Sequence, residues 1–189
     1  MNLPNILTLG RIIMIPLMVI CFYWLGEEGK LWAAVLFWLA AVTDWFDGYL
    51  ARKLNQSTPL GAFLDPVADK LIVAVALVLL VEQYASIWLT IPATIIIGRE
   101  IVISALREWM AELGKRASVA VSYVGKVKTF LQMSAIFFLL AGGFHPFVEM
   151  IGWVSLFAAA ILTIWSMFIY LRAAWPELRG KPAIATVKD

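Results

Sequence analysis

Four aspartates, Asp44, Asp47, Asp65 and Asp69, lie in one stretch that reads TDWFDGYLARKLNQSTPLGAFLDPVADK from Thr43 to Lys70. Residues three apart on an α-helix differ by about 60° in azimuth, and residues four apart by about 40°. Asp44 with Asp47, and Asp65 with Asp69, therefore each share a helix face. The two pairs are nearly mirrored about residue 56: Asp47 and Asp65 each lie nine residues from it, Asp44 twelve and Asp69 thirteen. In an antiparallel helical hairpin, mirrored positions meet at matched depth, so the four carboxylates converge. With no nearby Cys or His, such a group suits hard, oxygen-preferring cations, Mg2+ or Mn2+, which share their coordination with substrate phosphates.

The surroundings of these acids decide how much they mean. In a soluble protein, acids at this spacing mostly mark a solvated face. Here 62% of the 189 residues are hydrophobic, against the ~45–50% usual for soluble domains, and the mean hydropathy is +0.87. In a bilayer each charge costs on the order of 2.5–3.5 kcal/mol even by the lenient insertion scale, so four together need cations or water around them. A single cysteine, Cys21, and a single histidine, His145, exclude a disulfide framework and a Cys/His zinc site. The net charge of +2 carries little information by itself.

Apolar runs long enough to cross the hydrocarbon core fall near 3–25, 31–52, 60–83, 86–111, 125–144 and 149–172. The expected architecture is an all-α integral membrane protein, a bundle of six transmembrane helices in a single domain spanning 1–189, with the motif region at 44–69. No basic residue precedes the first run, Arg11 sits inside it and no small-residue cleavage pattern follows, so it reads as a retained span. Thr58 as N-cap and Pro59 in the first turn start the third helix. On one side of the membrane the links would carry Arg52, Lys53, Arg107, Lys115, Arg116, Lys126, Lys128, Arg172, Arg179, Lys181 and Lys188; on the other, Lys30 alone. The positive-inside rule then puts both termini and the carboxylate end of the bundle in the cytosol.

Other polar residues fall at a similar depth. Asn5, Thr8 and Arg11 recur every three residues on the first span, and Arg99 with Glu100 lies about 12 Å inside the cytosolic end of the fourth, at 1.5 Å per residue from Arg107. Arg99 and Glu100 read equally well as an ion pair locking the bundle or as a substrate contact. Arg11 has no acid near it in sequence; the carboxylate pocket or a lipid phosphate would neutralise it. Gly48 and Gly61 serve either helix packing or the close approach of a nucleotide to the backbone. Arg52 is either a snorkelling anchor or a phosphate clamp.

The run from Asp44 to Asp69 matches the pattern DxxDGxxAR, eight residues, GxxxDxxxD, without a departure. It resembles the signature of the CDP-alcohol phosphotransferases, and the resemblance covers essentially the whole chain. NILTLGR at 5–11, AVTDWFDG at 41–48, GAFLDPVADK at 61–70, REIVISALREWMAE at 99–112 and GKVKT at 125–129 are similar to the bacterial members that use glycerol 3-phosphate. The resemblance implies transfer of a phosphatidyl group from CDP-diacylglycerol to sn-glycerol 3-phosphate, giving phosphatidylglycerophosphate and CMP, with two Mg2+ or Mn2+ ions and the active site facing the cytosol at the bacterial inner membrane. It further implies that Asp44, Asp47 and Asp65 are metal ligands, and that Asp69 completes the metal site and takes the acceptor's proton. Gly48, Ala51, Arg52 and Gly61 match positions that shape the CDP site.

An anionic acceptor needs its own cationic seat, for which Arg107, Lys126 and Lys128 are the candidates; Asn5, Thr8, Arg11 and Arg99 are further pocket candidates. The expected partners are the two substrates and membrane lipids, with no nucleic acid; a homodimer stays open. One rival is a family member with another acceptor, such as inositol phosphate, serine or a phospholipid, against which REIVISALREWMAE and GKVKT weigh. Another is a cation transporter, but the intramembrane charges all fall in the cytosolic half and leave no polar path across the outer half.

Overall fold

The computed structural model describes residues 3–54, 59–112 and 123–179. It contains six long helices: α1 (Leu3–Trp24), α2 (Gly29–Leu54), α3 (Pro59–Tyr84), α4 (Ile87–Glu112), α5 (Tyr123–Leu140) and α6 (Pro146–Leu178). Short 3-10 turns at Gly26–Glu28 and Gly142–Phe144 join α1 to α2 and α5 to α6. No strand occurs among the described residues. The expected helix count matches, and α6 runs further than its apolar stretch, to Leu178. Pro59 and Pro146 occupy the first helical position of α3 and α6, where the missing N–H has no intrahelical partner to lose. Pro16, Pro66 and Pro92 lie inside helices, a use of proline common in bilayer-spanning helices.

Among the described residues three helices, α1, α4 and α6, contain stretches long and apolar enough to cross a membrane. The other three carry Asp44, Asp47, Asp65, Asp69, Lys126 and Lys128. The interior is apolar: Met18, Phe37, Leu77, Leu80, Leu89, Ile96, Ile136 and Leu139 are fully buried. The outside is apolar as well, with Phe63, Ile101, Phe130, Ile161 and Phe168 exposed.

Among the described residues α1 packs along both α2 and α3, α4 and α5 each pack on α6, and α5 also closes on α2. Gly152 lets α5 and α6 approach closely, since a Cβ there would stand 2.8 Å from Leu139 Cγ. Gly26 takes φ +62 in the α1–α2 turn, a conformation that favours glycine. The end of the bundle near this turn is tied by Tyr23, whose hydroxyl donates to Glu82, and by Tyr84, whose hydroxyl donates to the Leu139 carbonyl at 3.2 Å. At the opposite end, α1, α2, α3, α4 and α5 surround a chamber.

Candidate active site

The carboxylates do not meet as a bare hairpin pair. Among the described residues α2 and α3 touch over only a short stretch, and α1 lies against both. Arg11 of α1, 1% exposed, bridges them: its Nη1 donates to Asp44 Oδ1 of α2 at 2.9 Å and to Asp69 Oδ1 of α3. One turn before Arg11, the buried Thr8 donates its hydroxyl to Asp65 Oδ1 at 2.5 Å. Asn5, a further turn back, is also buried. The three-residue spacing on α1 thus builds one polar face turned towards the acids of α3 and α2. A buried guanidinium holds such a position only when paired and hydrogen-bonded; Asp44 and Asp69 supply the pairing.

Asp44 and Asp69 also line the chamber, a cavity of about 160 Å3. That is smaller than the ~300–1,000 Å3 of drug-sized sites. Across it stand Glu100 of α4 and Lys128 of α5. Lys128 Nζ donates to Glu100 Oε1 at 2.8 Å, and Arg99 Nη1 donates to the same oxygen at 2.6 Å. Arg99 and Lys128 are both buried, at 8% and 3% exposure. The expected Arg99–Glu100 ion pair therefore exists, but Glu100 is shared with a lysine from another helix. Two cations on one carboxylate leave a positive surplus on this wall. Lys70, next to Asp69, lies exposed at the chamber's rim.

Two of the acceptor-phosphate candidates, Arg107 and Lys126, stand outside the chamber. Arg107 is not among the residues lining the chamber; it donates to the Tyr170 hydroxyl at 3.0 Å and stacks over that ring at 5.2 Å. Arg99 lies over the same ring at 5.7 Å, so Tyr170 of α6 fixes the outer side of the basic wall. Lys126 is exposed and does not line the chamber either. It is two positions before Lys128, which turns it roughly 200° around the helix. Gly61 is buried near the start of α3. The side chains of Asp47, Ala51 and Arg52, the surroundings of Gly48, and Thr58, Lys115 and Arg116 lie outside the described residues. Sequence reasoning missed the bond from Lys128 to Glu100 and a further chamber residue, Gln132, one turn after Lys128.

The donor set on the acidic wall fits a hard divalent ion. Asp44 and Asp69 direct oxygens at a single cationic point, both are nearly half exposed, at 47% and 45%, and the neighbouring donors are carboxylate and hydroxyl oxygens. Among the described residues no three Asp, Glu, His or Cys side chains are close enough to hold a metal.

A family model described as CDP-alcohol phosphatidyltransferase matches residues 1–165. The chain belongs to the CDP-alcohol phosphatidyltransferase family. Members of this family generally use divalent metal ions. Within it, this phosphatidyltransferase is 58% identical over 179 residues to the CDP-diacylglycerol–glycerol-3-phosphate 3-phosphatidyltransferase of Shigella flexneri serotype 5b (strain 8401), covering 94% of this chain and 97% of the relative. It is 56% identical over 178 residues to the protein of the same description from Yersinia pestis (strain Pestoides F), with 94% and 97% covered.

Proposed function

We propose that the chain transfers the phosphatidyl group of CDP-diacylglycerol to the 1-hydroxyl of sn-glycerol 3-phosphate, releasing CMP. The observation that carries this reading is the polarity of the chamber: carboxylates on one wall, and on the other a buried lysine and arginine that share one glutamate. Relatives at 56% and 58% identity bear the name of this activity.

Asp44, Asp47, Asp65 and Asp69 would hold two Mg2+ or Mn2+ ions, with Asp47 joining the acids already gathered on the wall. Metal held by these residues would supply positive charge to neutralise the pyrophosphate of the CDP-lipid and to stabilise the departing CMP. Gly48, Ala51, Arg52 and Gly61 flank the acids along α2 and α3 and form the nucleotide seat. Arg11 holds Asp44 and Asp69 in register and Thr8 orients Asp65, so the carboxylates are fixed before substrate arrives.

The acceptor's phosphate sits against Lys128, backed by Arg99, where the positive surplus is. This places the acceptor between the two walls with its free hydroxyl towards Asp69, the carboxylate that takes the proton. Phosphatidyl transfer then needs only the alignment of that hydroxyl in line with the departing CMP. The protein works as a multi-pass enzyme of the bacterial cytoplasmic membrane, with the chamber facing the cytosol. An apolar groove between α2 and α5, lined by Phe37, Trp38 and Phe130, shares Ala41 and Met133 with the chamber and offers a lipid tail a path to it.

The test is direct. Purified protein in detergent, given CDP-diacylglycerol, Mg2+ and a panel of glycerol 3-phosphate, inositol phosphate, serine and phosphatidylglycerol, should form phosphatidylglycerophosphate and no other lipid. A product from a different acceptor would keep the family chemistry and overturn the acceptor assignment.

A further inference from the structure

Gln132 sits one helical turn beyond Lys128 on α5 and lines the same chamber as Asp69. It is 5% exposed, and its Oε1 is buried with no hydrogen-bond partner among the described residues. A buried amide oxygen without a partner is costly, and in native proteins it calls for an explanation. Two other buried oxygens in that condition, Gln83 Oε1 and Thr163 Oγ1, belong to residues that do not line the chamber. Gln132 therefore brings to the chamber lining an amide oxygen that still lacks a partner, and rotation of its terminal amide would turn that oxygen towards an occupant.

The position along α5 specifies what that occupant presents. Lys128 and Gln132 are four residues apart, so their Cα atoms are about 6 Å apart along the axis on one face of the helix. In glycerol 3-phosphate the hydroxyl on C2 lies between the phosphate-bearing carbon and the reacting hydroxyl on C1. With the phosphate at Lys128 and the C1 hydroxyl towards Asp69, the C2 hydroxyl falls between them and is a donor. We infer that Gln132 Oε1 accepts a hydrogen bond from the C2 hydroxyl and makes this residue a determinant of acceptor specificity. The inference rests on the reading of the chamber as the acceptor seat. An acceptor phosphate with a methylene or a ketone at C2 has no donor to give, and would leave the amide oxygen unpaired. Sites that bond a substrate hydroxyl reject analogues lacking it far more strongly than apolar pockets reject a change of size.

The experiment compares glycerol 3-phosphate with 3-hydroxypropyl phosphate, which lacks only the C2 hydroxyl, at saturating CDP-diacylglycerol and Mg2+. Wild type should favour glycerol 3-phosphate by roughly tenfold or more in kcat/KM. Gln132→Leu should lower kcat/KM for glycerol 3-phosphate by about tenfold and lower that for the analogue much less, collapsing the preference. Gln132→Met, unbranched and also lacking the oxygen, gives the same readout should the leucine variant fail to fold. Equal losses on both acceptors, or a preference that survives both substitutions, would overturn the inference. Lys128→Gln separates the two readings: it should weaken both acceptors alike. A preference lost in Gln132→Leu while Lys128→Gln spares both acceptors supports the hydroxyl contact and moves the phosphate seat elsewhere. No lipid product from either acceptor in wild type overturns the activity and the inference with it.

Discussion

The two walls of the chamber follow the same plan with the signs exchanged. On the α1–α2–α3 side a single buried cation, Arg11, is shared by Asp44 and Asp69, with Asp65 held by Thr8. On the α4–α5 side a single carboxylate, Glu100, is shared by Arg99 and Lys128. Each shared ion keeps a like-charged pair together in a low-dielectric setting, where unshielded repulsion would push the pair apart. Among the described residues, what remains after this internal pairing differs: negative charge on the first wall even with Lys70 at its rim, positive charge on the second. On the proposed function, the first wall attracts metal and the second the acceptor's phosphate. Internal ion pairs here do not cancel the site's charge; they sort it.

The largest expected effect comes from emptying the acidic wall. Excess EDTA should bring turnover below detection, and Mg2+ or Mn2+ should restore it, whereas Zn2+ should substitute poorly for want of soft ligands. Single substitutions should then divide the four acids. Asp44→Asn, Asp47→Asn and Asp65→Asn should regain part of their activity as Mg2+ is raised. Asp69→Asn should remain slower by about 10²–10⁴-fold in kcat at every metal concentration, the range for loss of a general base. Turnover measured against Mg2+ concentration checks both, and rescue of Asp69→Asn to normal rates would remove its role as base.

The basic wall should break differently, through stability before chemistry. Glu100→Gln leaves Arg99 and Lys128 buried with no carboxylate between them, which should cost on the order of 3 kcal/mol. Glycerol 3-phosphate, able to replace the lost anion, should raise the melting temperature of this variant more than that of wild type. An equal ligand-induced rise in both proteins would mean that the anion binds away from Glu100.

How far the sequence foretold these walls follows from the range of each interaction. Asp65 with Asp69 was legible because four-residue spacing fixes a shared helix face without knowledge of the partner helix, and both meet α1; apolar length marked out the helices themselves. Arg99 beside Glu100 was legible for the same local reason. Arg11 posed only a question, since its carboxylates lie 33 and 58 residues away on two other helices. The Lys128–Glu100 bond spans 28 residues, and the azimuth of α5 relative to α4 is set by packing on α6, which no local pattern encodes. Gln132 carried no signal of its own, although its four-residue spacing from Lys128 placed it on the same face. The mirrored-hairpin geometry anticipated that α2 and α3 carry acids at one end of the bundle but overlooked α1, which bonds Asp44, Asp65 and Asp69, because a third helix between two others leaves no mark on the sequence that joins them.

A more moderate change should follow from Lys128→Gln. Loss of one charge-assisted hydrogen bond, worth roughly 1.5–3 kcal/mol, should raise KM for glycerol 3-phosphate about tenfold or more and leave that for CDP-diacylglycerol little changed. Initial rates with each substrate varied in turn separate these constants. A matching rise in both would assign Lys128 to the architecture of the site instead of to the acceptor.

The smallest effects should come from the two cations that share the sequence neighbourhood of the basic wall but not its chamber. Lys126 is exposed on the far side of α5 from Lys128, and a solvated ammonium contributes little at a distance in high dielectric. Arg107 is nearer in role, because its guanidinium bonds and stacks on Tyr170, the ring that also lies beneath Arg99. Lys126→Gln should therefore leave KM for glycerol 3-phosphate within about twofold of wild type, the scale of an exposed charge. Arg107→Gln should shift it slightly more, and only by loosening Tyr170; Tyr170→Phe, which removes the hydroxyl that Arg107 grips but keeps the ring, should reproduce that shift. The decisive comparison is the double variant: if Arg107 acts through Tyr170, Arg107→Gln combined with Tyr170→Phe should be no worse than either alone. A tenfold rise in KM from Arg107→Gln, additive with Tyr170→Phe, would instead bring Arg107 to the acceptor's phosphate and extend the basic wall to the mouth of the chamber.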